Sequence, residues 1–254
     1  MRKISLLLAL ALLTACNSEE PTEVLVLPTL HGAHEMNMNY TYDDLLATVK
    51  AYDPDVIGVE IRPIDMQLDS DSLDVFYPIE MIRVRDSFPN KTSGIDFYSQ
   101  QVENETVNRK MFVDSTTQMG RIKRLQRDMG QDSLLISRYE ALGIPELQKN
   151  QQRIALNYSA EEMINGEYDS LTGRQYQLED SLFKNSIYEE YSSFNNNRDL
   201  QITKNALQLV ENNPGKKVLL LVGANHRNRL VDSLQARNEK IELVRDLNFM
   251  KAQK

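Results

Sequence analysis

The sequence predicts an α/β protein: a mostly parallel sheet core with a large helical insertion in the middle of the chain. Three observations predict it. The first folded stretch reads strand, helix, strand. The last stretch repeats that order. Between them lies a long segment dominated by Glu, Gln, Arg, Lys and Leu, with Pro145 the only proline between Pro89 and Pro214. Helices that connect wholly apolar strands imply parallel pairing, because a parallel sheet is covered on both faces and needs a crossover between neighbouring strands.

The chain opens on Met1, Arg2 and Lys3, a short cationic start, and residues 4–13 are apolar apart from Ser5. That run is too short to span a bilayer as a helix and suits the apolar region of an export signal. Leu13-Thr14-Ala15-Cys16 then resembles the lipobox of bacterial lipoproteins, in which small residues admit the peptidase and the cysteine thiol carries the lipid. Residues 1–15 are therefore expected to be a lipoprotein signal peptide and 16–22 a lipid-anchored tether. Residues 23–254 are expected to form a single domain with its helical insertion at about 98–195. Cys16 is the only cysteine, which excludes a disulfide, a thiolate metal site and a cysteine nucleophile from that domain. The formal net charge is −8, and −10 once Arg2 and Lys3 are removed. Such a surface attracts neither nucleic acid nor anionic headgroups. Membrane contact is expected through lipid on Cys16, since more than one acyl chain anchors firmly. The expected location is the bacterial cell envelope, at the outer membrane, because Asn17 is not the Asp associated with inner-membrane retention.

Within the domain, Val24-Leu25-Val26-Leu27 is a continuous apolar run before Pro28 and reads as a buried strand. Thr41 with Asp44 three residues on reads as a helix start. Leu45, Leu46, Val49 and Tyr52 then share one side, and Pro54 ends the helix. Residues 56–61 form a second apolar strand, closed by Pro63. The acidic stretch 65–74 reads as a solvated loop or short helix. A third strand is expected at Ile95-Asp96-Phe97. In the insertion, Ile122, Leu125 and Met129 recur at helical spacing. A helix at 200–211, with Leu207 and Val210 on its apolar side, is broken by Asn213-Pro214-Gly215. The most apolar strand, 218–222, follows. A helix at about 228–237 and a short strand at 241–244 complete the chain.

All three histidines, His31, His34 and His226, fall just past the carboxyl ends of expected core strands, and Glu60 lies at the end of another. In open α/β sheets, ligands bind outside those ends. The plainer alternative is that His31 and His34 are surface loop residues, Glu60 pairs with Arg62, and His226 caps a helix. Two imidazoles and a carboxylate can hold a divalent metal with open positions, which would acidify a bound water. Without metal, a His–Glu pair can still act as a general base with its orienting carboxylate. His31-Gly32-Ala33-His34 lacks the internal glutamate of a helical zinc-protease motif. Gly223-Ala224-Asn225-His226 has too little glycine to cradle phosphates. No Gly-x-Ser-x-Gly occurs, so a serine elbow is unsupported.

Three patches carry a family resemblance. They are Val26-Leu27-Pro28-Thr29-Leu30-His31, then Val59-Glu60-Ile61-Arg62, and last Asn197-Arg198-Asp199 followed by a helix and Val222-Gly223-Ala224-Asn225-His226. Together they resemble the TraB/GumN/Tiki superfamily, which is similar in fold to the erythromycin esterases and the ChaN-like haem-binding lipoproteins. The patches cover about a quarter of the chain. The resemblance implies an α/β core with a helical insertion, and a pocket formed by His31, Glu60 and His226 with Arg198 nearby. Tiki-like members are metal-dependent proteases, erythromycin esterases hydrolyse with comparable His and Glu residues and no metal, and TraB-type members act on or bind small peptides. Pro28 stands where the family pattern has glycine, which removes a backbone N–H donor from the pocket wall. His34 lies outside the pattern, as an added ligand or a polar loop residue.

The expected function is hydrolysis of peptides or small esters, with His31, Glu60 and His226 holding a divalent Mn, Co or Zn ion. Glu60 and His31 would also serve the chemistry, and Arg198 would stabilise oxyanion charge. Asp96, Asp199, Asn225, His34 and Arg62 would support the site, unless Arg62 is only a salt-bridge partner. The alternative is a non-catalytic envelope lipoprotein that binds haem, metal or a peptide. The 11 tyrosines and His34 permit an axial haem ligand without indicating one. A structural protein with a vestigial pocket is the third reading.

Overall fold

The computed structural model describes residues 20–237 and 240–251. The signal peptide and Cys16 lie outside the described residues. Five strands, β1 (Thr22–Thr29), β2 (Val56–Val59), β3 (Thr92–Gly94), β4 (Lys217–Gly223) and β5 (Ile241–Leu243), form one sheet in the order β3-β2-β4-β1-β5. Every pairing in it is parallel. The fold is thus α/β with a parallel sheet core. β1 begins at Thr22, one residue inside the expected tether.

Alternation along the strands sorts their side chains into two layers. Leu25, Leu27, Ile57, Val59, Leu219 and Leu221 face one core, shared with Leu45, Val49 and Tyr52 of the helix Tyr42–Tyr52. Val24, Val26, Val218, Leu220 and Val222 face the other, against Ile202, Ala206 and Val210 of the helix Glu189–Glu211 and Leu230 and Leu234 of Ala224–Gln235. The first helix starts as expected. Thr41 Oγ1 accepts from Asp44 N and Asp44 accepts from Thr41 N, a complete capping box. Pro28 is tolerated in a central strand because β5 pairs with β1 only from Thr22 to Val24. Past that point the β1 edge is open, and the Pro28 carbonyl accepts from the buried Tyr40 hydroxyl at 2.8 Å.

Four expectations are corrected. The third strand is Thr92–Gly94, three residues before 95–97, because Thr92, Ser93 and Gly94 pair with Ile57, Gly58 and Val59. Ile95 and Asp96 still donate to the Val59 and Ile61 carbonyls, so Asp96 leaves the sheet at its carboxyl edge. The helix expected at 200–211 starts at Glu189, through Asn195-Asn196-Asn197. Those are poor helix formers, and the packing of Phe194 overrides their preference. The helix expected at 228–237 starts at Ala224, directly off β4, so His226 sits in its first turn and not in a loop. Asp65 is fully buried, not solvated, accepting from Arg62 Nε, the Tyr77 hydroxyl and Val107 N.

The segment between β3 and β4 is helical from Lys110 to Glu211 apart from short connections. β3 is held close under the chain after β2. A Cβ on Gly94 would lie 2.4 Å from the Ile61 carbonyl oxygen and 3.0 Å from the Arg62 carbonyl carbon. Gly94→Ala is therefore expected to lower stability by about 1–3 kcal/mol, read as a lower denaturant midpoint. An unchanged midpoint would mean that this backbone shifts freely.

Candidate active site

The carboxyl ends of β1, β2, β3 and β4 lie on one edge of the sheet. The helix Tyr42–Tyr52 leaves β1 on one face and Ala224–Gln235 leaves β4 on the other, so the edge carries a topological switch point. Past β1, His31 opens a short 3-10 turn, His31–Glu35, with φ of 52°. Non-glycine residues rarely adopt this left-handed backbone, and such outliers concentrate at functional sites. His31 Nδ1 lies 2.8 Å from Glu80 Oε1, which also accepts from the Thr29 hydroxyl at 2.6 Å. Burial opposes the Glu80 charge, but the His31 and Thr29 hydrogen bonds outweigh it and hold its carboxyl below the usual range. An ionised Glu80 fixes the His31 proton on Nδ1 and leaves Nε2 as the basic nitrogen. The His31 side chain is 48% exposed, so water reaches it.

Glu60 follows β2 and is buried. Its Oε2 accepts from Gly223 N at 2.6 Å, the entry to the helix Ala224–Gln235. Free N–H groups and the dipole at a helix start favour a carboxylate there. Its Oε1 is buried and has no hydrogen-bond partner among the described residues. The nearest cationic candidate is His226 Nε2 at 3.5 Å. On its other side, His226 Nδ1 meets Asp199 Oδ1 at 2.6 Å. Burial opposes a charged His226, but Glu60 and the Asp199 hydrogen bond more than offset it, so its pKa is raised above 6.5. Arg198 Nη1 lies 3.0 Å from the same Nε2 and donates to it when the ring is neutral. When the ring is charged, Nε2 instead carries a proton toward Glu60 Oε1. Arg198 is anchored by Asp96 Oδ1 at 2.8 Å and the Phe97 carbonyl at 3.0 Å. Burial opposes the Arg198 charge, and Asp96 and Glu60 outweigh that opposition.

The raised value has a consequence for pH. His226 contributes stability in full below 6.5 and loses it as pH rises through the folded pKa. The wild-type Tm is expected to decline across that interval, and His226→Gln to flatten the decline. A His226→Gln protein with the same Tm profile as wild type would refute the shift.

The structure thus brings together His31, Glu60, His226, Arg198, Asp96 and Asp199. Asn225 is exposed on the rim and accepts from the Tyr168 hydroxyl. Two expected residues are elsewhere. His34 is buried beneath the site: Leu30 N donates to its Nε2 at 2.9 Å, so its proton is on Nδ1, which meets the Tyr40 carbonyl at 2.7 Å. Burial lowers its pKa, and it serves as a neutral core histidine. Arg62 is buried against Asp65 Oδ2 at 2.7 Å and the Val102 carbonyl, a structural tie and not a partner of Glu60. Two residues were missed, Thr29 and Glu80. A signal for Glu80 existed: it lies on the same face of the helix Ile79–Ser87 as Met81 and Val84, where a carboxylate in an apolar stripe calls for a partner. A cleft of about 610 Å³ opens beside His226, Asp199 and Arg198 and runs into the helical insertion.

His31 Nε2 and Glu60 Oε2 lie 2.9 and 3.2 Å from the point where a Gly223 side chain would begin. His226 Nε2 is engaged by the Arg198 guanidinium, which repels a second cation. Among the described residues no group of three or more His, Cys, Asp or Glu side chains is arranged to hold a metal ion. The side chains as they stand do not form the expected ligand set.

No family model, curated protein or solved structure matches this chain.

Proposed function

We propose that the chain is a hydrolase of small esters or peptides that works by acid–base chemistry from its own side chains. The observation that carries this reading is the pairing of two histidines with two buried carboxylates, His31 with Glu80 and His226 with Asp199, at the edge where Glu60 contacts Gly223. The two imidazoles have unlike settings, and unlike settings separate acid from base. His31 Nε2 removes a proton from water as its oxygen attacks the carbonyl carbon. Arg198, whose charge is fixed by Asp96, meets the negative charge that grows on the carbonyl oxygen. His226, with its raised pKa, delivers a proton to the leaving group as the carbon–oxygen or carbon–nitrogen bond breaks. Glu60 Oε1 supports the charged form of His226.

A second reading keeps a divalent Mn, Co or Zn ion at His31, Glu60 and His226, and the unpartnered Glu60 Oε1 favours it. It requires Arg198 to swing away from His226. The two readings separate in one experiment: a panel of activated esters and short peptides is assayed before and after exhaustive chelation, with metal content measured on the same samples. Turnover that survives chelation without stoichiometric metal supports the side-chain mechanism. Turnover abolished by chelation and restored by Mn, Co or Zn overturns it in favour of the ion. No turnover at all, with a ligand captured, gives the non-catalytic binding lipoprotein.

The proposed setting is the cell envelope, with the membrane as partner through lipid on Cys16. No helix among the described residues is long and apolar enough to cross a membrane. Labelled palmitate should enter the wild-type chain and not Cys16→Ala.

A further inference from the structure

The cleft beside His226 is charged unevenly. Three carboxylates line it, Glu140, Glu179 and Asp199; Asp199 is paired with His226, the Arg198 guanidinium is paired with Asp96, and among the described residues Glu140 and Glu179 face no cation across the cleft. Its far wall is made by the insertion, where Glu179 on the helix Glu167–Phe183 stands among Tyr139, Tyr176 and Tyr191. Glu179 Oε1 accepts from Gln175 Nε2 at 2.8 Å and from the Tyr139 hydroxyl at 3.3 Å. Its Oε2 accepts no hydrogen bond among the described residues. Burial pushes the Glu179 carboxyl above the usual range, as expected of an acid that has no cation beside it. Burial likewise raises the three phenols, which therefore stay neutral. Neutral aromatic rings around one carboxylate are the chemistry that holds an organic ammonium, through ring faces and a single counter-charge.

We infer that Glu179, with Tyr139, Tyr176 and Tyr191, forms a subsite for an ammonium group, so that the ligand carries a cationic amine at one end and its carbonyl at the Arg198–His226 end. This rests on the hydrolase reading for the carbonyl end alone; the ammonium subsite is read by binding. Glu179 selects and positions the ligand and takes no part in bond breaking. The insertion is then the specificity element, and the sheet edge the chemical one.

The test is calorimetric titration of the purified full chain with benzyltrimethylammonium, with benzyl alcohol as the neutral comparison. Wild type is expected to bind the cation at least about tenfold more tightly than the Glu179→Gln protein. Benzyl alcohol is expected to bind both equally weakly. Glu179→Gln retains the acceptor for Gln175 and Tyr139, so its fold is expected to stand, as checked by thermal melting. Equal cation affinity in wild type and folded Glu179→Gln overturns the subsite, as does equal preference for the neutral probe. Because the titration reads binding and the ester panel reads turnover separately, the outcomes separate: cation binding without hydrolysis of any ester removes the hydrolase reading and leaves the subsite. Hydrolysis of neutral esters without cation binding does the reverse.

Discussion

His31→Gln is expected to lower kcat/KM by about 10²–10⁴-fold on whichever ester or peptide the chain hydrolyses. The imidazole is half exposed to water and is oriented by the buried Glu80 carboxylate. Glutamine occupies the space without a basic ring nitrogen. Glu80→Gln is expected to fall in the same range, because an amide at position 80 can donate as well as accept, and the His31 proton is no longer confined to Nδ1. The double variant should be little worse than either single one, since the two residues act as a unit. Rates of folded single variants within about threefold of wild type would move the base to Glu60. Multiplying losses in the double variant would mean that Glu80 acts independently of His31.

Gly223→Ala is expected to remove most activity and leave the fold intact. The position has φ of −55°, which alanine adopts without strain. Its Cβ, however, would lie 2.9 Å from His31 Nε2 and 3.2 Å from Glu60 Oε2. The methyl group would occupy the space that water and the carbonyl need, and a displacement of that size costs on the order of 10²-fold in rate. Gly58→Ala makes the contrast. Its Cβ would meet Leu220 at 2.9 Å and Leu209 at 3.0 Å inside the core. That change is expected to lower Tm through packing and to leave kcat in the surviving folded protein near wild type. The measurements are a thermal melt and initial rates on both proteins. A Gly223→Ala protein with wild-type rates would show that the reacting atoms do not pass between His31 and Glu60.

The sheet was largely legible in the sequence because β1, β2 and β4 carry continuous apolar runs and the first helix carries a capping box, both local signals. The placing of His31, Glu60 and His226 at strand ends was legible for the same reason: a parallel sheet puts all carboxyl ends on one edge, whatever separates them along the chain. Less was legible wherever tertiary packing overrides local preference. The helix Glu189–Glu211 runs through three asparagines because Phe194, Asp199 and Ile202 are buried along it. Asp65 reads as a solvated residue, and His34 as an added ligand or a polar loop residue, until Arg62 and Tyr77 in one case, and Leu30 N and Tyr40 in the other, are seen around them.

By itself the sequence determined the α/β class, the parallel order of chemistry-bearing ends and the absence of cysteine chemistry from the folded domain, because periodicity and composition act over a few residues. Only the tertiary structure decided which carboxylate serves which histidine. Glu80 lies 49 residues beyond His31, and Asp199 lies 27 residues before His226. A hydrogen bond depends on a fraction of an ångström between side chains, and that distance is set by how the helices pack against the sheet.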